Sequence, residues 1–182
     1  PGDEVELCAH CHARRGVISE AWSPGRLLTD THTPSLLTYD LFEDDGQMKD
    51  EVFNDQSFKQ SLMFAKGVIC SDCHDPHSGQ LKAPGSQVCS QCHEQERFTS
   101  TRHTGHASTR NAPDCISCHM PSRTYMVIDA RHDHSFRIPR PDLSITFNTP
   151  NSCNDCHKDK SASWAQSAIN KWHGSSRTGL QT

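Results

Sequence analysis

All ten cysteines of the 182-residue chain fall into five copies of one pattern, C-x-x-C-H. The copies are CAHCH (Cys8, Cys11, His12), CSDCH (Cys70, Cys73, His74), CSQCH (Cys89, Cys92, His93), CISCH (Cys115, Cys118, His119) and CNDCH (Cys153, Cys156, His157). Histidine occupies only 13 of the 182 positions, so its presence directly after every pair reflects a chemical requirement rather than chance.

That requirement is the attachment of c-type haem. Two thiols three positions apart add to the two vinyl groups on one edge of a porphyrin, and the next residue then lies beneath the iron, where a neutral imidazole nitrogen binds it. The competing chemistries fit less well. Zinc ribbons use C-x-x-C pairs two at a time, which leaves one of five without a partner, and they need no following histidine. A disulfide framework has no use for that histidine either. Thioredoxin-like redox motifs do not come five to a chain without a βαβ pattern around them. The ten cysteines are therefore read as the covalent anchors of five haem c groups, and the five motif histidines as their proximal iron ligands.

The composition agrees. The hydrophobic fraction is 33%, aromatic residues make up 7%, and the mean hydropathy is −0.73. Side chains this polar bury too little apolar surface to offset the entropy of ordering. With about 36 residues per haem, the macrocycles supply the core, and stability depends on them as it depends on zinc in small metal-nucleated domains. The expected fold class is mostly irregular with a few short α-helices and little β, a haem-cored multihaem cytochrome c forming a single pentahaem domain over residues 1–182. A net charge of −4 without a long basic run argues against nucleic acid as a partner. No apolar segment approaches ~18 residues, so no membrane span is expected. The start at Pro1 has neither a charged n-region nor an apolar h-region, which reads as a signal peptide already removed. Haem attachment takes place outside the cytoplasm, so the expected location is periplasmic or extracellular.

Between motifs the sequence predicts little regular structure. TPSLLTYDLF, EDDG and QMKDEVF read as a loose hairpin turning at Asp44–Gly46. Ser57 is positioned to cap a short helix over FKQSLMFAK that ends at Gly67. RPDLSITFNTP, punctuated by prolines, reads as extended. SASWAQSAINKWHG places Trp164, Ala168, Ile169 and Trp172 on one helical face ended by Gly174, a stripe that packs against a haem or a neighbouring helix.

Eight histidines lie outside the motifs, and five low-spin irons need five further axial ligands. His77, three residues after His74, cannot reach round the porphyrin edge to the iron held by His74, because three residues span about 10 Å and Pro76 stiffens them. It is read as a ligand to the iron of a different motif, that of His93 or His119. His103 and His106 repeat the three-residue spacing and are read as ligands to two different irons. One of His132 and His134 ligates. His32 is the free histidine of the long interval between the first two motifs and is a ligand candidate. His10 lies within its own motif and is expected at the surface, and His173 is expected to cap a helix C-terminus. Met48, Met63 and Met126 read as packing residues.

The blocks GVICSDCHDPHSGQLKAPGSQVCSQCH, CISCHMPSRTYMVIDARHDHSFRIPRPDLS and NTPNSCNDCHKDKSASWA resemble a family of bacterial multihaem c-type cytochromes. Its members are described as doubled-CXXCH or tetratricopeptide-repeat cytochromes, related to the cytochrome c554 and nitrite-reductase group. The resemblance runs from Cys8 to Trp172. It implies that the positions of His32, His77, His103, His106 and His134 recur as functional histidines, and it favours His134 over His132. Family members carry further haem motifs upstream and helical repeats downstream, so the resemblance implies a haem-binding core of a larger precursor.

Electron transfer through bis-histidine haems is the reading that follows, since an imidazole pair saturates the iron and blocks substrate. The alternative is a multihaem oxidoreductase of the nitrite-reducing or hydroxylamine-oxidising type, which needs one open iron face. No C-x-x-C-K variant is present, and the free histidines suffice for every site. Expected partners are redox proteins, and a subtype of the reading is a homopolymeric conducting filament with haem-to-haem contacts between subunits. The unfolded protein is expected to stay red and to weigh five haems more than its polypeptide by mass spectrometry. A mass equal to the bare chain overturns the haem reading at its first step.

Overall fold

The computed structural model describes residues 2–19, 22–107 and 112–175. Two compact units emerge, Pro1–Lys82 with Ser122–Phe136, and Ala83–Pro121 with Arg137–Thr182. The first contains two of the C-x-x-C-H motifs and the second contains three.

In the first unit, α1 (Gly2–His12) carries the first motif. Asp3 and Glu4 in its first turn complement the helix dipole. Its Ala9 joins Ala13 and Leu28 in a small buried cluster. Glu6 fastens the helix sideways, accepting from the Leu28 amide at 2.8 Å and from Lys59 at 3.1 Å. β1 (Arg15–Val17) then pairs antiparallel with β2 (His32–Pro34), Val17 facing His32. The hairpin expected around Asp44–Gly46 is present as a turn with hardly any strand. Gly46 adopts φ +85, and a single antiparallel bridge joins Phe42 to Met48.

The helix expected over FKQSLMFAK is two helices, α2 (Asp55–Lys59) and α3 (Leu62–Ala65). Asp55 pairs with Lys59 at 3.1 Å, so the first helix begins before Ser57 and encloses it. The capping residue is Ser61, whose backbone is extended and whose Oγ accepts from the Phe64 amide at 3.0 Å. α4 (Cys70–Cys73) carries the second motif, and the Asp72 carboxylate accepts from the Ile69 amide at 2.9 Å. β3 (Ser122–Tyr125) and β4 (Asp129–His132) form an antiparallel hairpin. Its Tyr125 completes a buried cluster with Leu41, Phe42, Met48 and Val52, donating its hydroxyl to the Met48 carbonyl at 3.2 Å. Met48 is thus a packing residue, whereas Met126, expected to be one too, is 70% exposed at the hairpin tip.

The second unit opens with a 3₁₀ segment, Gly85–Gln91, that leads into Cys92 and His93. α5 (Gln95–Phe98) and α6 (Thr101–Thr104) follow, the latter closed by Gly105 at φ +69. α7 (Cys115–His119) carries the fourth motif and is capped by Asp114, which accepts from the Ser117 amide at 2.9 Å. The stretch expected to be extended contains α8 (Pro141–Phe147). Pro141 occupies the first helical turn, where its missing N–H costs nothing, and Asn148 ends the helix at φ +57. The prolines thus bracket a helix; Arg140 and Asp142 pair at its start. α9 (Ser152–Cys156), capped by Asn151, carries the fifth motif. α10 (Ala162–His173) is capped by Ser161 and ends at Gly174, as its sequence predicts.

A chain mostly irregular with short helices and two small hairpins matches the expected fold class. No helix among the described residues is long and apolar enough to cross a membrane. Ser61→Ala is expected to lower stability by about 1 kcal/mol, or roughly 2–4 °C in Tm for a chain of this size. Ser57→Ala, which deletes a buried hydroxyl without a partner, is expected to be neutral or slightly stabilising. Thermal unfolding of the two variants followed by circular dichroism distinguishes the caps.

Candidate haem sites

Each motif starts on a helical turn, α in four cases and 3₁₀ in one. A helical turn places residues i and i+3 on the same side, so the two thiols of a motif face one porphyrin edge. None of the ten cysteines forms a disulfide. Burial, helped by the adjacent Cys8 thiol, pushes the Cys70 thiol up to about 12. Burial, helped by Cys153 and Cys156, pushes Cys118 up to about 11. Anchoring sulfurs of the first and second motifs therefore lie together, as do those of the fourth and fifth. Glu4, Cys8 and Cys70 bring three donor atoms within 4.8 Å of one another. The Glu4 carboxylate is already taken up by the amide and hydroxyl of Ser71, at 2.8 and 2.7 Å.

Three motif histidines each face a histidine from outside the motifs. His74 and His134 have ring centroids 6.4 Å apart with planes inclined at 30°. For His103 and His119 the values are 6.0 Å and 19°, and for His106 and His157 they are 6.2 Å and 23°. An imidazole nitrogen binds a metal at about 2 Å, and the ring centroid lies roughly 1.1 Å behind that nitrogen. Two imidazoles on opposite sides of one metal thus place their centroids about 6.3 Å apart. All three pairs have this spacing.

The ring nitrogens are prepared for the same role. Nδ1 of His74 lies 3.2 Å from the Gly79 carbonyl, that of His134 2.9 Å from the His132 carbonyl, that of His119 2.7 Å from the Arg137 carbonyl and that of His106 2.6 Å from the Thr104 carbonyl. A carbonyl only accepts, so each Nδ1 carries the proton and each Nε2 keeps its lone pair for a metal. Burial also holds His103 and His134 below the usual imidazole range, in the neutral form that ligates. Geometry and tautomer both fit an iron between the rings.

The remaining histidines are placed differently, His173 lying 6.3 Å from His103 but inclined at 64° to it. Among the described residues, His12, His32, His77 and His93 stand in no pair of this kind. His32, at the start of β2, is buried, and its Nδ1 is 2.8 Å from the Thr31 hydroxyl. His77 is exposed on a turn tied by Asp75, which accepts from the His77 amide at 3.2 Å and from the Ser78 amide and hydroxyl at 2.8 Å. Of the two motif histidines whose iron His77 was expected to serve, His119 already faces His103. His10, expected at the surface, is half-buried, its ring 4.2 Å from Trp22 and 5.0 Å from His32. Residues with no sequence signal also line these sites. Phe98 stands edge-on to both His93 and His103, at 5.3 and 5.1 Å, and Phe136 lies edge-on to His134 at 5.9 Å. The four carbonyls likewise carry no signature, because any residue supplies one.

Residues 63–98, which hold the second and third motifs, match the family described as the doubled CXXCH motif. That match, together with the five C-x-x-C-H motifs, supports a multihaem c-type cytochrome. Among solved structures it is similar to the crystal structure of the outer cell wall cytochrome OcwA, with a TM-score of 0.63 and 19% sequence identity. The match covers 92% of this chain and 51% of that one, so the chain spans about half the length of OcwA. At this identity the likeness is one of fold. No curated protein matches the chain in sequence.

Proposed function

We propose that the chain transfers electrons through five covalently bound haem c groups, each iron ligated by two histidines, and that it is a carrier rather than an enzyme. The observation behind this reading is the set of three facing imidazole pairs at 6.0–6.4 Å. When bound, haem supplies a one-electron couple between ferric and ferrous iron. The chain's own residues do the rest. The cysteine pairs would hold the macrocycles, His74 with His134, His119 with His103 and His157 with His106 would ligate three of the irons, and the carbonyl acceptors on His74, His134, His119 and His106 leave those four Nε2 atoms free for the metal. His12 and His93 are the proximal ligands of the other two irons, and His32 and His77 complete the distal set. An iron filled on both faces excludes a small-molecule substrate, which favours the carrier over the nitrite-reducing or hydroxylamine-oxidising alternative.

The Cys8 and Cys70 sulfurs, within 4.8 Å of each other, and the nearness of Cys153 and Cys156 to Cys118 support a closely spaced chain of haems. We take residues 1–182 to work as one pentahaem module that exchanges electrons with partner proteins in the periplasm or outside the cell. The fold likeness to an outer cell wall cytochrome supports that location. A head-to-tail polymer conducting between copies is the further form of this reading, and sedimentation of the five-haem protein tests it: material of filament size supports the polymer and a monomer excludes it.

His103→Ala, His106→Ala and His134→Ala are each expected to convert one low-spin iron to high-spin and to open it to carbon monoxide. His77→Ala is expected to do the same at an iron other than the one between His74 and His134. His10→Ala, His132→Ala and His173→Ala are expected to convert none. Electron paramagnetic resonance of the oxidised protein reads all seven, and high-spin iron in the unmodified protein overturns the carrier reading.

A further inference from the structure

The two tryptophans of α10 contact opposite ligands of a single site. Trp164 lies against His157, ring centroids 4.8 Å apart and planes inclined at 53°. Trp172, eight residues later on the same helical face, lies against His106 at 5.8 Å and 59°. The second contact is built into the backbone. Gly105, immediately before His106, sits at φ +69, and a Cβ there would overlap the Cε3 and Cδ2 atoms of the Trp172 ring. Only glycine combines that backbone angle with that approach. His106 is therefore held by the Thr104 carbonyl on Nδ1 and by the Trp172 indole against its ring. α10 itself is fixed at its start by Ser161 and along its length by the buried Ala165 and Ile169.

We propose that Trp164 and Trp172 are positioning residues for the iron between His106 and His157, clamping both imidazoles at their 23° inclination and excluding water from that haem. The proposal rests on the ligand assignment above. Two consequences distinguish a clamp from ordinary packing. The magnetic anisotropy of low-spin ferric haem depends on the angle between its two imidazole planes, so releasing either ring changes that iron's resonance. Ferric haem carries one more positive charge than ferrous haem, and water stabilises the charged form. Loss of an indole therefore lowers that haem's reduction potential.

The test uses the five-haem protein with Trp164→Leu, Trp172→Leu and the conservative Trp164→Phe and Trp172→Phe. His106→Ala identifies which of the five low-spin resonances belongs to this site. Both leucine variants are expected to keep five covalent haems by mass and to shift that one resonance. At its original midpoint, the same haem's oxidised-to-reduced ratio is expected to rise roughly tenfold, equivalent to a fall of about 59 mV. The phenylalanine variants are expected to restore most of both signals. Leucine variants that lower Tm while leaving that resonance and midpoint unchanged, or that shift a different haem, overturn the clamp. If His106→Ala removes no low-spin resonance, the ligand assignment falls first and the clamp falls with it.

Discussion

The bond between an imidazole Nδ1–H and a backbone carbonyl is the interaction on which the sites depend. It selects the tautomer, frees Nε2 for the metal and limits rotation of the ring in one step. Such a bond is worth only about 1 kcal/mol net, yet it decides whether a histidine is ready to ligate. The local turns of the chain are arranged around it. Asp75 gathers the amides of the DPHSG turn and so delivers the Gly79 carbonyl to His74. Gly105 turns the chain after α6 and lets His106 fold back onto the Thr104 carbonyl.

A chain this polar has few other means of holding itself together. Among the described residues the buried apolar clusters are small, one of five residues around Phe42 and one of three around Leu28. Seven of the ten thiols and several of the histidines are only half-buried, the kind of surface that a bound porphyrin would cover. Cofactor attachment and folding are then one process, because the groups that bind the iron are also the groups that need covering. Three of the motif helices have only four or five residues, enough to present two thiols and an imidazole.

Where the chain departs from its sequence pattern, local competition explains the outcome. Ser57 and Ser61 are equally good caps in isolation, and the Asp55–Lys59 pair decides between them by starting a helix one turn early. Pro141 looks like a break in an extended run, but a proline in a first helical turn is also a start signal, and Asn148 supplies the matching stop. His10 carries no mark that separates it from a surface histidine; Trp22 and His32, brought in from elsewhere in the chain, enclose it.

The sequence by itself pointed to the chemistry: ten cysteines in five C-x-x-C-H units offer five candidate attachment points and five candidate proximal imidazoles, because covalent spacing is a local property. It also offered His103 and His106 as candidate ligands to different irons, since three residues are too short a span to pass round a porphyrin to both faces of one iron. The tertiary structure alone decided that His134 meets His74, that His103 meets His119 and that His106 meets His157. Those partners lie 60, 16 and 51 positions apart in the chain. No local propensity encodes an opposition across such distances; it arises only when packed turns fix both rings in space, with a carbonyl acceptor on at least one ring of each pair.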